Sequence, residues 1–268
     1  MFSNRPVFVA GMGVISAIGN NLAANLHSLL AEATGVGHIT ILPTRYAGLL
    51  PAAEVKLSNQ QLAEMSGLSG DVPRTAMLSM IAAREAMNDA AIPDLQQWRV
   101  AMISANTVGA MDKTETIYKY YLADNETDKL LEEINYDSGY VTDLVAQQLG
   151  IHHHVTTIST ACSSSANSIA YASRLIKNNM ADVVLAGGAD AMSRFTLNGF
   201  NSLMILDNKP CTPYDENRNG LNLGEGAGYV VLVSEKVAAT LSKQPKAIVS
   251  GYANANDAFH QTASSPEG

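Results

Sequence analysis

The chain has 268 residues, 47% of them hydrophobic and 16% charged, which fits a folded globular protein and excludes an intrinsically disordered one. A net charge of −8 and a pI near 5.2 argue against a general nucleic-acid binder, which needs a basic surface; an acidic protein could still dock on a local basic patch. Two cysteines, Cys162 and Cys211, make no disulfide framework and fit a reducing, cytoplasmic setting, and no apolar run reaches the roughly 18 residues of a membrane span.

Short apolar runs alternate with helical patterns along the chain. Val7–Ala10 opens an apolar stretch that reaches Ile18 behind Arg5. It is long enough for a signal-peptide core, but Gly11, Gly13 and Gly19 punctuate it, and its first residues read as a buried strand. Asn21–Glu32 and Thr75–Ala91 are predicted helices; in the second, Ala76, Met80, Ala83 and Met87 recur at helical spacing as core filler, and Pro93 stops it after Ile92. Arg99–Ser104 is the next strand and Lys113–Leu122 the next helix. Residues 123–143 are acidic and weakly patterned, so a surface excursion is expected there. Helix Leu144–Leu149, strand Val155–Ser159, helix Ser165–Asn178 and strands Asp182–Ala186, Tyr229–Ser234 and Ala247–Gly251 complete the series. Several strands are continuous aliphatic runs, as strands buried on both faces should be, and the interleaving predicts an α/β protein with a largely parallel sheet.

The strongest chemical signal is TTISTACSSSANSIAYASRLIKNN, residues 156–179. A β run gives way to small residues and then to a helix with a small apolar face, placing Cys162 where the helix begins. Unpaired N–H groups and the positive end of the helix dipole favour a thiolate there and can bind the oxyanion of a tetrahedral intermediate, with the Cys162 backbone N–H as one donor. On these residues alone two readings stand: a nucleophile, or a buried, inert cysteine at the start of a core helix.

Further segments lie along the chain in a fixed order: VFVAGMGVISAIGN (7–20), PTRYAG (43–48), TACSSS (160–165) with ADVVLAGGADAM (181–192), PYDENRNGLNLGEGAGYVVL (213–232) and NDAFHQT (256–262). Together the series resembles the β-ketoacyl-acyl-carrier-protein synthases, over nearly the whole chain. The resemblance implies a thiolase-like α/β fold, layered α/β/α/β/α, with residues 1–245 as the amino-terminal domain and 246–268 as the start of a second. It implies that Cys162 accepts an acyl group from acyl carrier protein or coenzyme A. Malonyl-acyl-carrier protein then loses carbon dioxide, and the carbanion attacks the thioester to give a 3-oxoacyl product. It implies no cofactor, since phosphopantetheine enters on the carrier protein. It also implies a homodimer, or a heterodimer with a related subunit, in which strands near the cysteine meet. His260 and Thr262 match a segment beside the family's active site, Asp257 is expected to hold that loop, and Phe200 matches a residue near the acyl pocket. Glu225, between Gly224 and Gly226, reads as a buried structural carboxylate, and Gly224, Gly226 and Gly228 as places of close backbone approach. The family's two catalytic histidines and lysine lie in motifs expected beyond Gly268, so this segment is expected to accept an acyl group without catalysing the condensation.

Departures from the family pattern concern chain length rather than reaction type. Ala17 replaces a frequent proline, Asn219 an acidic residue, and Leu221 and Asn222 a Phe–Val pair, while 124–143 does not match the familiar loop. A specialised polyene or polyketide synthase is as compatible as a housekeeping one. Competing readings are a thiolase, which condenses or cleaves coenzyme A thioesters without decarboxylation, and a non-catalytic chain-length-factor partner, which usually lacks the nucleophile. A dinucleotide fingerprint fails at Ser16, where a glycine is needed. His152, His153 and His154 have no partners at structural-zinc spacing, so no metal is expected and a solvated loop is. Cys211 sits between Pro210 and Pro213 as a loop bystander, and no Gly-x-Ser-x-Gly elbow is present.

Overall fold

The computed structural model describes residues 5–123, 137–260 and 265–266. In chain order the described elements are β1 (Val7–Ser16), α1 (Leu22–Leu30), the short strands β2 (Gly37–His38) and β3 (Pro51–Ala52), α2 (Asn59–Ser66), α3 (Arg74–Ala90), β4 (Val100–Ala105), α4 (Met111–Ala123), α5 (Gly139–Gln148), β5 (His154–Ile158), α6 (Ser164–Lys177), β6 (Val183–Asp190), α7 (Arg194–Ser202), β7 (Gly226–Ser234), α8 (Glu235–Ala238) and β8 (Ala247–Ile248). None of these helices is long and apolar enough to cross a membrane.

One sheet carries the fold, in the order β5-β4-β6-β7-β1-β8. Period-two alternation feeds both of its faces. Ala227, Tyr229, Val231 and Val233 of β7 pack with Val183 and Leu185 of β6 and Met102 of β4 under α3 and α5. Leu232, Val184, Ala186, Ala101 and Ile103 turn the other way and pack under Ala172, Leu175 and Ile176 of α6. The described residues thus form a three-layer α/β/α unit. Tyr229 is buried with its hydroxyl bonded to Ser79 of α3 and Ser104 of β4, at 2.6 and 2.5 Å.

The expectation of a largely parallel sheet needs correction. β4 pairs parallel with β5 and β6, but β7 runs antiparallel between β6 and β1, and β8 runs antiparallel to β1. Hydrophobic runs carry no direction, so the reversal of β7 left no trace in the pattern. β1 is also longer than the four residues expected, because Gly11 and Gly13 are not punctuation. They are strand positions against which α3 lies flat: a Cβ at Gly11 would strike the carbonyl of Ala86, and one at Gly13 that of Ala82. Gly13→Val should therefore destabilise the protein by about 3 kcal/mol or prevent folding, as overpacking against backbone does. Gly228→Ala, where an added Cβ meets nothing within 4 Å, should change the urea midpoint little. That open space also corrects the reading of Gly228 as a close-approach glycine, whereas at Gly224 and Gly226 a Cβ would lie 3.0 Å from Ala53 Cβ and 2.8 Å from the Ile15 carbonyl.

Past β8, the outer edge of β1 is covered by side chains. Its Met12 and Val14 N–H groups donate to Asp89 and Glu85 of α3, each at 2.9 Å, which blunts an otherwise open edge. α5 begins five residues earlier than expected, and buries Val141 and Thr142, so the end of the expected surface excursion is in fact core; residues 124–136 lie outside the described set. α2 was not expected at all, since NQQLAEMS lacks a broad apolar stripe. Its signal was the capping box, with Ser58 Oγ accepting from Gln61 N and Gln61 Oε1 accepting from Ser58 N.

Glu54 is buried and gathers the loop before β3. Its carboxylate accepts from the N–H groups of Thr40, Ile41 and Leu42 and from Lys56 Nζ. Burial alone pushes its pKa up, but the Thr40 and Leu42 amides, the Lys56 ammonium and the Ile41 amide together bring it from 4.5 down to about 2. A carboxylate depressed on folding contributes stability that is complete above its unfolded value and is lost as pH falls through its folded one. Unfolding in urea at pH 7 and at pH 3 should show much of a contribution of about 3 kcal/mol disappearing. Glu54→Gln, which cannot titrate, should start less stable and lose less over the same interval.

Candidate active site

β4, β5 and β6 run parallel, and their carboxyl ends deliver the chain to one place, as ligand sites in parallel α/β sheets require. β4 leads to Thr107 and Val108, β5 to Ala161 and Cys162, and β6 ends at Asp190. These residues, with Ala191, Met192, Ser193, Thr196, Phe200, Leu223 and Gly224, line a mainly apolar cavity of about 350 Å³.

Cys162 sits in a single 3-10 turn, Ala161–Ser163, that runs directly into α6, so the cysteine stands just before the helix rather than in its first turn. The bend requires Ala161 at φ +53°, a left-handed conformation that small side chains tolerate best. Serines fix the bend. Ser164 Oγ accepts from Thr160 N and donates to the Ala161 carbonyl, and Ser163 Oγ donates to the Thr160 carbonyl. Asn167 Nδ2 donates to Thr160 Oγ1 at 2.8 Å. Ser168 Oγ donates to the Gly187 carbonyl at 3.0 Å, tying α6 to β6. Cys162 itself is exposed at the cavity, not sealed under the helix.

Part of the cavity wall is tied to a buried ion pair. Arg74, the first residue of α3, meets Glu225 at 2.6 Å, and Glu225 also accepts from Val55 N and from Met192 N, both at 3.0 Å. Arg74 further donates to the carbonyls of Val55 and Leu57. Glu225 is therefore a buried carboxylate holding Met192 and its neighbour Gly224, both in the cavity wall.

Of the residues singled out in sequence, Cys162 and Phe200 meet in this cavity. His260 and Asp257 do not line it; both are exposed on the carboxy-terminal segment. That segment follows α6 back toward its beginning: the Tyr252 ring lies 5.5 Å from the Arg174 guanidinium and 5.0 Å from Lys177 Nζ, and Asn254 Nδ2 donates to Asn167 Oδ1. Asp257 then accepts from the amides of Phe259 and Ser265, at 3.1 and 2.7 Å, and the Ser265 bond, with that of Phe259, keeps its carboxyl below the usual range. Thr262 lies outside the described residues. Cys211 is half-buried away from the cavity, its amide donating to Asn222 Oδ1. His154 opens β5, and no group of three metal-ligating side chains occurs among the described residues.

Sequence reasoning missed Thr107, Val108 and Asp190. The available signal was Asp190's position as the first charged residue after the apolar run of β6, at a strand's carboxyl end. Its carboxylate accepts from Thr107 N at 2.8 Å and from Thr107 Oγ1 at 2.7 Å, and burial raises its pKa against the lowering effect of those bonds.

Comparison with known proteins agrees with this geometry. Residues 4–238 match the family model "Beta-ketoacyl synthase, N-terminal domain". The chain is 28% identical to 3-oxoacyl-[acyl-carrier-protein] synthase 2 of Staphylococcus aureus (strain N315), over 100% of this chain and 67% of that protein. It is 31% identical to Nodulation protein E of Rhizobium meliloti (strain 1021), over 99% of this chain and 67% of that one. Among solved structures, the ishigamide ketosynthase/chain length factor superposes with a TM-score of 0.82 at 29% identity, covering 91% of this chain and 62% of that one. The fold is the thiolase-like fold of such proteins, and the chain spans about two thirds of the length of the relatives it matches.

Proposed function

The chain belongs to the β-ketoacyl synthase family, and from that premise we propose that Cys162 is the acyl-accepting nucleophile of a 3-oxoacyl-[acyl-carrier-protein] synthase. The observation that carries this is an exposed cysteine, on a left-handed bend between a strand and a helix, opening onto a mainly apolar cavity. Its thiolate attacks the carbonyl carbon of an acyl thioester. The Cys162 N–H stabilises the oxyanion, and the carrier's thiolate leaves and takes up a proton, so an acyl–Cys162 thioester remains. A malonyl thioester on acyl carrier protein then loses carbon dioxide. Its α-carbon attacks the acyl carbon, a carbon–carbon bond forms, and the Cys162 thiolate departs. The product is a 3-oxoacyl chain two carbons longer.

The mainly apolar lining of the cavity supports acyl rather than polar substrates, and no cofactor is called for beyond the phosphopantetheine that the carrier brings. Acyl carrier protein is the partner that the names of the curated relatives point to. A second ketosynthase-type subunit, identical or related, fits the outer edge of β5, which among the described residues pairs only with β4. Two free thiols and the acidic balance fit a cytoplasmic protein. Neither the family match nor the exposed thiol favours a thiolase or a chain-length-factor role.

The test is intact mass after incubation with acyl-acyl-carrier protein or acyl-coenzyme A. One acyl group should appear, mapping to the Cys162 peptide. A folded chain that gains none, or gains it elsewhere, defeats the reading.

A further inference from the structure

The wall of the Cys162 cavity is not built evenly. Asp190 ends β6 in its main-chain ladder, the Met192 amide just beyond it is held by Glu225, and Thr196 and Phe200 stand on helix α7. Thr107 and Val108 instead form the apex of the loop between β4 and α4. The base of that loop is fixed from within the core. Asn106 Oδ1 accepts from Gly109 N at 2.9 Å, Asn106 Nδ2 donates to the Ser138 carbonyl at 2.8 Å, and Thr75 Oγ1 donates to the Gly109 carbonyl at 3.1 Å. The apex is gripped from the opposite side, where both oxygens of the Asp190 carboxylate are engaged, one by the Thr107 amide and the other by the Thr107 hydroxyl.

We propose that Asp190 is a positioning residue: its two-point clasp on Thr107 holds Val108 in the cavity wall and so limits the length of chain that Cys162 can accommodate. The inference extends the reading of Cys162 as an acyl acceptor by naming what sets its specificity. Three features support it. The cavity, at about 350 Å³, is near the lower end for ligand sites, so movement of one wall changes its capacity appreciably. The clasp joins residues 83 apart in sequence, and the loop base has anchors of its own, so releasing the apex leaves the core bonds in place. The carboxylate sits in a partly desolvated position, where hydrogen bonds to a charged acceptor are strong.

The test uses Cys162 as a depth gauge that needs no catalysis. In a Cys211→Ser background, Cys162 is treated with alkyl methanethiosulfonates from ethyl to dodecyl. The thiolate attacks the sulfenyl sulfur, a disulfide forms and methanesulfinate leaves; intact mass gives each rate relative to that of the ethyl reagent. The relative rate should fall sharply beyond a threshold length. Asp190→Ala should move the threshold to longer chains, with a gain of about tenfold at the first length the parent rejects, the scale on which a pocket discriminates one methylene. Asp190→Asn, which keeps one acceptor, should move it less, and Val108→Ala should move it directly. Thr107→Val, which removes only the hydroxyl bond, provides the readout if Asp190→Ala does not fold. An unchanged threshold in the folded clasp variants overturns the proposal, and so does a ladder with no threshold or one that Val108→Ala leaves in place. A chain that follows the alkyl ladder yet takes no acyl group from thioesters refutes the acyl-acceptor reading and leaves the clasp's control of cavity length standing.

Discussion

Cys162→Ala should leave the fold as stable as before and remove acyl transfer altogether. The side chain is exposed and its loss opens no packed volume, so the stability change should stay within about 0.5 kcal/mol. The chemical loss is of another order. Without the sulfur no acyl-enzyme forms, and whatever turnover remains must come from binding and oxyanion stabilisation alone. Loss of a covalent nucleophile elsewhere costs about 10⁶ in rate, so a fall of at least about 10³ is a conservative expectation. Cys162→Ser keeps the shape but offers a hydroxyl, a far weaker nucleophile at neutral pH than a thiolate, and should transfer acyl groups almost as poorly. Cys211→Ser should behave as the parent, because Cys211 meets its neighbour Asn222 through its backbone amide. Acyl adducts measured by mass, with melting curves on the same samples, separate these outcomes. An adduct that survives in Cys162→Ala would place the chemistry elsewhere.

The parts of this site that could be read from sequence are those written locally. A β run, a cluster of small residues and a helix fall within 156–179, and that continuity placed Cys162 at a helix start, while the nucleophile reading needed the resemblance of the whole ordered series of segments. The aliphatic runs of β4, β6 and β7 were legible for the same reason, since burial on both faces demands them. Contacts between distant segments were not. The Asp190 clasp joins positions 83 apart, and the Arg74–Glu225 pair spans 151. Neither has a periodicity to betray it. Gly11 and Gly13 were misread because a glycine that admits a helix backbone is written no differently from one that breaks a strand. β7 was placed correctly but without its direction. The start of α2 is written locally in the Ser58–Gln61 capping box, but its residues carry no broad apolar stripe to mark the rest of the helix.

Glu225→Ala should be among the most destabilising single substitutions in this chain, costing about 3–5 kcal/mol. The carboxylate is almost wholly buried and four groups depend on it: the Arg74 Nε and terminal nitrogen, and the amides of Val55 and Met192. Truncation leaves a guanidinium charge in the interior with part of its shell missing and strands two amides, each at a cost of about 1–3 kcal/mol unless water enters. Against a total stability of roughly 5–15 kcal/mol, the urea midpoint should fall by a large fraction of its value. Glu225→Gln keeps the shape and one acceptor, and should cost less. The double variant Arg74→Met/Glu225→Ala should recover part of the loss, because the uncompensated charge goes with the arginine. The same cycle tests the link to function. Met192 and Gly224 stand in the wall of the Cys162 cavity, so even below the melting temperature Glu225→Ala should slow acylation of Cys162, whereas Gly228→Ala should not. A stability within about 0.5 kcal/mol of the parent's would mean that the ion pair contributes no net stability and that this part of the cavity wall is held without it.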